Sequence, residues 1–252
     1  MNGTICLNAD VGELPGTGGR ALDAGLLALV SRCNIACGGH AGDAGSMAAT
    51  IALAQERDIG IGAHPAYPDR AGFGRRRLDI APAALAAALA TQVAALQAVA
   101  AARGATVRHL KPHGALYNVA ATDLATARLV VAVAADAGIG QLLGPPGSAF
   151  AVAAADAGLG FIAEGFADRS YEADGSLTPR TLPGAVLASA AGVAAQALRI
   201  VRQGEVIART GERLRLCVQT LCLHGDTPGA LALAHGLREA LAAAGIAVRA
   251  GG

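Results

Sequence analysis

The chain of 252 residues is 53% hydrophobic and 3% aromatic, contains no Trp, and carries a formal net charge of +1. This length is compatible with one α/β domain, and the near-neutral charge gives no support for a nucleic-acid partner. Amphipathic Ala-rich tracts, five cysteines mostly within apolar runs and no signal-like N-terminal segment predict a cytoplasmic protein without membrane contact.

Short apolar runs alternate with helix-forming stretches almost throughout the chain. The predicted strands are residues 4–9, 33–37, 59–63, 107–111, 140–144, 160–164 and 215–223. The predicted helices are residues 21–32, 45–57, 82–103, 123–137, 148–157, 183–203 and 228–244, with Asp123 and Thr227-Pro228 as helix starts. Seven strands separated by helices indicate a parallel sheet with helical crossovers.

Polar residues follow almost every predicted strand, and this distribution favours a closed or nearly closed barrel. An open doubly wound sheet concentrates its ligand groups at one switch point, whereas a (β/α) barrel collects them around the carboxyl ends of its strands. No linker or break in composition divides the chain. We therefore expect a single α/β domain over residues 1–252, folded as a distorted, seven-stranded (β/α) barrel.

Three pairs of polar residues stand two positions apart at predicted strand ends. The pairs are Asn8 with Asp10, Lys111 with His113, and His224 with Asp226. Residues two apart in an extended chain point to the same side, so each pair can direct both side chains into a common pocket. His40 and His64 follow two further strands. Solvated loop residues would explain one such pair, but three pairs and two histidines favour an active site.

The segment Lys111-Pro112-His113-Gly114 is informative by itself. Pro112 cannot donate to a strand ladder and Gly114 permits a turn, so the strand should end here. Lys111 then offers a fixed positive charge to an anionic substrate, and His113 can transfer protons near neutral pH. The alternative is that Lys111 is a structural partner of Asp10 or Asp226.

A divalent metal is one interpretation of the candidate set Asp10, His40 and His64. Two imidazoles and a carboxylate suit a metal that activates water, and the same residues also suit direct acid–base roles. Their spacing matches no metal signature, so both interpretations stay open. Glu13 follows Asp10 in the sequence and is either a general base or a surface residue.

Two glycine-rich segments are candidate anion sites. Residues 38–43 precede a predicted helix, and residues 72–76 carry Arg75 and Arg76, whose guanidinium groups suit a carboxylate or a phosphate. Neither segment has the glycine spacing of a Walker A motif or of a dinucleotide fingerprint. The chain therefore has no recognisable ATP site of its own.

Seven ordered segments resemble the LamB/YcsF family over residues 4 to about 245. The segments are residues 7–13, 34–43, 62–69, 72–76, 111–118, 166–169 and 224–226. The sequence departs from the usual family pattern at Cys6, where the family has Asp, and at Ala9, Gly39 and Ala44. The change at Cys6 removes one candidate carboxylate beside the pair Asn8 and Asp10.

The resemblance implies a barrel akin to that of the polysaccharide deacetylases, and ATP-dependent hydrolysis of 5-oxo-L-proline to L-glutamate together with 5-oxoprolinase subunits B and C. Since the chain lacks a nucleotide motif, we hypothesise that the partners activate the substrate with ATP and that this chain performs the hydrolytic step. The implied catalytic residues are Asp10, Glu13, His40, His64, Lys111, His113, His224 and Asp226. The implied substrate contacts are Asn8, Arg75, Arg76, Tyr117, Asn118, Asp168 and Arg169.

Within this scheme the individual roles stay open. Lys111 or Arg169 would hold the carboxylate or phosphate of the substrate, and Asp10 or His113 would act on the attacking water. The histidines at positions 40, 64 and 224 would stabilise the developing oxyanion or bind a metal.

Two other functions stay open at the level of sequence. A metal-dependent amidase or carbohydrate N-deacetylase working alone would hold a divalent metal tightly and need no ATP. A non-catalytic substrate-binding or scaffold subunit would keep the activity of its complex after Ala substitution of Asp10 or His113. A homo-oligomer is also compatible with the sequence.

Overall fold

The computed structural model describes residues 3–227 and 229–249. Its strands are β1 (Thr4–Val11), β2 (Arg32–Ala36), β3 (Gly60–His64), β4 (His109–Leu110), β5 (Gln141–Gly144), β6 (Gly160–Phe166), β7 (Glu205–Ile207), β8 (Arg213–Arg215), β9 (Thr220–His224) and β10 (Ala247–Val248). Strands β1 to β6 and β9 pair in parallel, and β9 pairs with both β6 and β1, which closes a seven-stranded barrel. The predicted α/β barrel is confirmed.

Eight helices accompany the described strands. They are α1 (Gly16–Leu27), α2 (Ala44–Glu56), α3 (Pro82–Ala101), α4 (Gly114–Thr122), α5 (Leu124–Asp136), α6 (Ala149–Asp156), α7 (Ala190–Gln203) and α8 (Ala230–Ala243). Their starts follow from local chemistry: Asp43 accepts from the backbone N–H of Ser46 at 2.8 Å, and Asp123 accepts from that of Thr126 at 2.9 Å. The predicted helix start at Asp123 is thereby confirmed.

The apolar core lies between the barrel and the surrounding helices. Along β1, Leu7 and Ala9 belong to this core, whereas the alternate residues Asn8 and Asp10 face the barrel interior. The helix α3 is long and apolar enough to cross a membrane by length and composition. Its leucines at positions 85, 89 and 96 are buried in the core cluster, and α3 is one of the helices around the barrel.

Several predicted boundaries are wrong, and each error has a local cause. Arg215 belongs to the β7–β8 hairpin, so the barrel strand predicted over 215–223 begins only at Thr220. The helix predicted over 183–203 begins at Ala190, because residues 167–189 form an irregular loop with backbone hydrogen bonds of its own.

Two further helices differ from the prediction. The first ends at Leu27 and not at residue 32, since Arg32 already pairs with Asn8 in the barrel. The helix α4 was not predicted, because the motif at its start suggested a loop. Of the predicted helix start Thr227-Pro228, Pro228 lies outside the described residues, and α8 begins at Ala230.

The turn after β1 is held by a buried carboxylate on α1. Asp23 accepts a hydrogen bond from the backbone N–H of Gly12 at 3.0 Å, and Gly12 adopts a φ of 73°, a conformation that favours glycine. Burial raises the pKa of Asp23 to about 6, although the hydrogen bond from Gly12 acts in the opposite direction. This contact positions Glu13, the next residue, at the barrel opening.

We expect Asp23→Asn to raise the free energy of unfolding near pH ~8 by up to about 3 kcal/mol, because a neutral amide avoids a buried charge and still accepts from Gly12. The folded pKa of about 6 lies above the unfolded value of about 3.9, so wild-type stability rises as the pH falls through this window. The gain from Asp23→Asn therefore shrinks below pH ~6, which urea unfolding over a pH series will measure.

The matched control is Asp136→Asn on the exposed end of α5. It should change the free energy of unfolding by less than about 0.5 kcal/mol at every pH. A loss of stability from Asp23→Asn near pH ~8 would contradict the assignment of Asp23 as a destabilising buried charge.

Candidate active site

Polar side chains from the barrel strands fill the interior toward the carboxyl ends of the strands. They are Asn8, Asp10, Asn34, His64, His109, Glu164, Thr220 and Cys222, and all are buried. The predicted pair Asn8 and Asp10 does face one pocket, as the strand geometry requires. Because buried polar groups need partners, this interior is an extended hydrogen-bond network.

The lysine cluster consists of Lys111 with Asp10, Glu164 and Cys222. The Nζ atom of Lys111 lies 3.0 Å from Asp10 Oδ1, 3.0 Å from Glu164 Oε1 and 3.0 Å from Cys222 Sγ. Burial disfavours the ammonium, yet Asp10, Cys222 and Glu164 hold the pKa of Lys111 well above its usual value. Burial likewise opposes ionisation of Asp10, but His64 and Lys111 keep the pKa of that carboxyl well below its usual range. The cluster is a fixed set of charges.

Asn34 joins this cluster to the base of the barrel. Its amide nitrogen donates to Asn8 Oδ1 and to Asp10 Oδ1, both at 2.8 Å, and its Oδ1 accepts from His109 Nε2 at 3.0 Å. Asn8 in turn donates to Glu164 Oε1 at 2.9 Å. Burial lowers the pKa of His109 to about 3, so this ring is neutral and serves as a donor.

The histidine cluster consists of Glu13, His40, His64 and His113, each offering one ligand atom within 4.8 Å of the others. Glu13 Oε1 lies 2.9 Å from His40 Nε2, 3.2 Å from His113 Nδ1 and 3.8 Å from His64 Nε2. The rings of His40 and His113 stack with centroids 3.6 Å apart. Three imidazoles and one carboxylate are a donor set that suits a divalent transition metal.

Burial sets the protonation of this cluster. It lowers the pKa of His40 to about 4 and lowers that of His113. It opposes protonation of His64 as well, but the neighbouring Asp10 raises the pKa of that ring. Burial opposes ionisation of Glu13, yet hydrogen bonds with His113 and His40 hold its pKa below the usual range, so Glu13 is a carboxylate.

A separate dyad stands at the end of β9. Asp168 approaches His224 Nδ1 at 3.1 Å with both carboxylate oxygens, and Oδ2 also accepts from the backbone N–H of His224. A carboxylate fixes the proton on Nδ1, which leaves Nε2 to exchange protons. The His224 side chain is 14% exposed, stacks on Phe166 and has one ring nitrogen within 4.8 Å of Asp10 and Cys222. The dyad therefore connects the interior with solvent.

Two arginines share one carboxylate at the opening. Arg75 binds Asp226 and places its guanidinium 4.9 Å from the centre of the Phe73 ring, while Arg180 reaches Asp226 at 3.4 Å. Both arginine side chains are partly exposed. Among residues 3–227 and 229–249, the two guanidinium groups share this one carboxylate, which leaves an excess of positive charge at the opening that suits an anion.

The other predicted pairs are divided by the structure. Asp226 lies beyond β9 and binds arginines, whereas His224 binds Asp168. Strand β4 ends at Leu110, so Lys111 points into the barrel and His113 belongs to the histidine cluster. Each pair therefore serves two neighbouring parts of one site.

The remaining four predicted substrate contacts are Arg76, Arg169, Tyr117 and Asn118, of which Tyr117 lies beside Glu164 of the lysine cluster. Arg76 binds Asp69 at 2.8 Å, and Arg169 donates to the carbonyl oxygens of Ala185 and Thr178. Burial lowers the pKa of Arg169 to about 10. The remaining two are Tyr117, whose buried ring packs on Phe166, and Asn118, which is exposed on α4. Both arginines hold loops in this structure, and contact of these four residues with substrate stays a prediction.

Sequence reasoning did not place five further residues in the site: Asn34, Glu164, Arg180, Thr220 and Cys222. A signal existed for two of them, because Thr220 and Cys222 precede His224 at intervals of two and so share its side of the strand. Asn34 lies within a predicted strand, and Glu164 is the polar residue that ends the predicted strand 160–164, but neither was assigned a role. Arg180 lies in a loop without any motif, and nothing local marks it.

The chain is similar to known proteins over nearly its whole length. The LamB/YcsF family profile matches residues 5–251. The 5-oxoprolinase A subunit of Methylococcus capsulatus is 49% identical over 99% of this chain and 96% of its own length. That of Chloroflexus aggregans is 49% identical over 98% of both chains.

Solved structures show the same barrel. A lactam utilization protein from Thermus thermophilus superposes with a TM-score of 0.90 at 38% identity, covering 98% of this chain and 100% of that chain. A T48 deacetylase solved with substrate reaches a TM-score of 0.50 at 13% identity over 97% of this chain and 87% of that chain, a likeness of fold alone. The chain belongs to the LamB/YcsF family.

Proposed function

We propose that this chain is the A component of a multi-subunit 5-oxoprolinase and that it carries out the hydrolytic step in ATP-dependent conversion of 5-oxo-L-proline to L-glutamate. The names of its relatives support the substrate. The observation that supports catalysis by this chain is the Asp168–His224 dyad, an oriented proton carrier beside the lysine cluster. The complex works in the cytoplasm.

Opening the lactam makes three chemical demands. The oxygen of a water forms a bond to the ring carbonyl carbon, and an electron pair moves to the carbonyl oxygen. The ring C–N bond then breaks, and the nitrogen takes a proton to leave as the amino group. The site must therefore accept a proton from water, stabilise negative charge on oxygen, and give a proton to nitrogen.

The dyad and the lysine cluster meet the proton demands. His224 takes a proton at Nε2 and returns it to the leaving nitrogen, while Asp168 holds the ring and stabilises its charged form. Asp10, kept ionised by His64 and Lys111, accepts a hydrogen bond from the attacking water. The lysine cluster thus orients the water and the dyad moves its proton.

The arginines at the opening select for the carboxylate of the substrate. Arg75 and Arg180 share Asp226, so either guanidinium can turn toward the carboxylate of 5-oxo-L-proline and still leave Asp226 paired. The ring of the substrate then extends from the opening toward His224 and Asp10.

ATP supplies the driving force, since an unstrained five-membered amide gains little from hydrolysis. The sequence has no Walker A motif, so subunits B and C bind ATP or share it with this chain and transfer its terminal phosphoryl group to the lactam oxygen, with release of ADP, before water attacks. Breakage of the ring C–N bond then leaves an acyl phosphate, which a second water hydrolyses to the carboxylate and inorganic phosphate. The overall activity is that of a hydrolase acting on a cyclic amide C–N bond.

The histidine cluster favours a second candidate function, a metal-dependent amidase or carbohydrate N-deacetylase that works alone. Three imidazoles and a carboxylate are ligands that such hydrolases use. This candidate differs from the first in needing neither ATP nor partners.

Glutamate release from 5-oxo-L-proline distinguishes the two functions. We expect release only when this chain, both partner subunits and ATP are all present. The chain assayed alone against 5-oxo-L-proline and N-acetylated sugars should give no product. Product without ATP would favour the second candidate, and no ATP-dependent release from the full complex would refute the first.

We expect Asp168→Asn to lower kcat of the assembled complex by about 10²- to 10⁴-fold, because the amide no longer fixes the proton on His224 Nδ1 or stabilises the charged ring. Steady-state glutamate release measures kcat. The same substitution at Asp156, which pairs with Arg128 on the surface, is the matched control and should leave kcat unchanged. A scaffold role for this chain would leave Asp168→Asn as active as the control.

We expect Arg180→Gln to raise KM for 5-oxo-L-proline by about tenfold or more with a smaller effect on kcat, because it removes a partner of the substrate carboxylate. Initial rates over a substrate series measure both constants. Arg128→Gln, which breaks an exposed ion pair far from the barrel opening, is the control and should keep both constants. An unchanged KM in Arg180→Gln would exclude Arg180 from substrate binding.

A further inference from the structure

We propose that Glu13, His40, His64 and His113 bind one divalent transition-metal cation, with Zn²⁺ as the best match. This ligand set replaces the candidate set from the sequence, because Glu13 takes the place of Asp10 and His113 is added. The proposal rests on the geometry of these side chains and not on the identity of the substrate.

Backbone carbonyls fix the tautomers of two of the histidines. His64 Nδ1 lies 2.7 Å from the carbonyl oxygen of Lys111, and His113 Nε2 lies 2.9 Å from that of Phe73. A carbonyl oxygen only accepts, so each of these nitrogens carries its proton. The other nitrogen of each neutral ring must then present a lone pair.

These two lone pairs point at each other and at a carboxylate. His64 Nε2 and His113 Nδ1 are 3.0 Å apart, and Glu13 Oε1 lies 3.2 Å from His113 Nδ1. When both rings are neutral, neither His64 Nε2 nor His113 Nδ1 has a proton to share with the other or with Glu13, and a cation between these atoms removes the repulsion of their lone pairs. Donation of the second ring N–H to a backbone carbonyl is also how proteins orient metal-binding histidines.

The fourth member of the cluster, His40, approaches Glu13 with Nε2, and its other ring nitrogen lacks a partner among the described residues. Within residues 3–227 and 229–249, the buried His40 Nδ1 has no hydrogen-bond partner. The His40 ring is held against His113 by stacking and against Phe73 edge to face, so it cannot turn outward without losing both contacts. The stacked ring therefore keeps Nε2 at 2.9 Å from Glu13 Oε1, where it can serve as the third imidazole ligand.

The charge around the cluster favours a cation of this type. The set includes the carboxyl group of Glu13, and the carboxyl group of Asp10 approaches His64 Nε2 at 3.3 Å. Imidazole-rich donor sets suit Zn²⁺ and its neighbours, whereas Mg²⁺ and Ca²⁺ prefer oxygen. A cation bound here would act as a Lewis acid on a carbonyl oxygen.

Calorimetric titration of the chelator-stripped full chain with Zn²⁺, without ATP or substrate, tests the proposal. We expect one Zn²⁺ per chain and a loss of affinity of at least about 100-fold in Glu13→Gln and in His113→Gln. His235→Gln, on the exposed face of α8, is the matched control and should bind as wild type does. Asp10→Asn should also keep one Zn²⁺ per chain.

A second measurement covers the case in which a ligand variant does not fold. Co²⁺ added to the stripped wild-type chain should give the visible absorption of a site with nitrogen ligands, and Zn²⁺ should abolish it. A stripped wild-type chain that binds neither ion would overturn the proposal and leave a shared proton between His64 and His113. Zn²⁺ binding lost in Asp10→Asn but kept in Glu13→Gln would overturn this ligand set.

Discussion

The buried ammonium of Lys111 is the constraint on which the rest of the site depends. A charge at this depth must be paired, and its partners come from β1, β6 and β9, three adjacent strands across the barrel from β4, which Lys111 follows. The interior therefore cannot be filled with apolar side chains as the outer face of each strand is. Asn34 donates to Asp10 and Asn8 donates to Glu164, while Thr220 accepts from Asn8 and so helps to orient it.

From the lysine cluster to the barrel opening, the side chains of the site change in type and in exposure. The lysine cluster is rigid and excludes solvent, the histidine cluster beside it presents lone pairs, and the Asp168–His224 dyad reaches the exposed side. The arginines at Asp226 carry the excess positive charge outermost. The buried, fully paired groups thus lie deepest, and the partly exposed arginines lie at the entrance. A small anion that passes the arginines meets groups that are already oriented for chemistry.

The barrel and the residues of β1 could be predicted because both depend on strand periodicity and on parallel strands ending together. Asn8 and Asp10 follow this rule. The rule is less exact beyond the strand ends, as at His113 and Asp226, since the two-residue period holds only inside a strand. Arg180 could not be predicted from the sequence, because its position depends on the path of a loop and no local pattern encodes that path.

Closure of the barrel determines when the site can form during synthesis of the chain. The last barrel strand, β9, lies between β6 and β1, and Thr220 bonds to the carbonyl oxygen of Cys6, 214 residues away in sequence. Contacts of such separation form late in folding. During synthesis the lysine cluster therefore stays without Cys222, and the dyad without His224, until almost the whole chain has left the ribosome. A chain truncated before β9 has an open barrel with unpaired edges and no complete site.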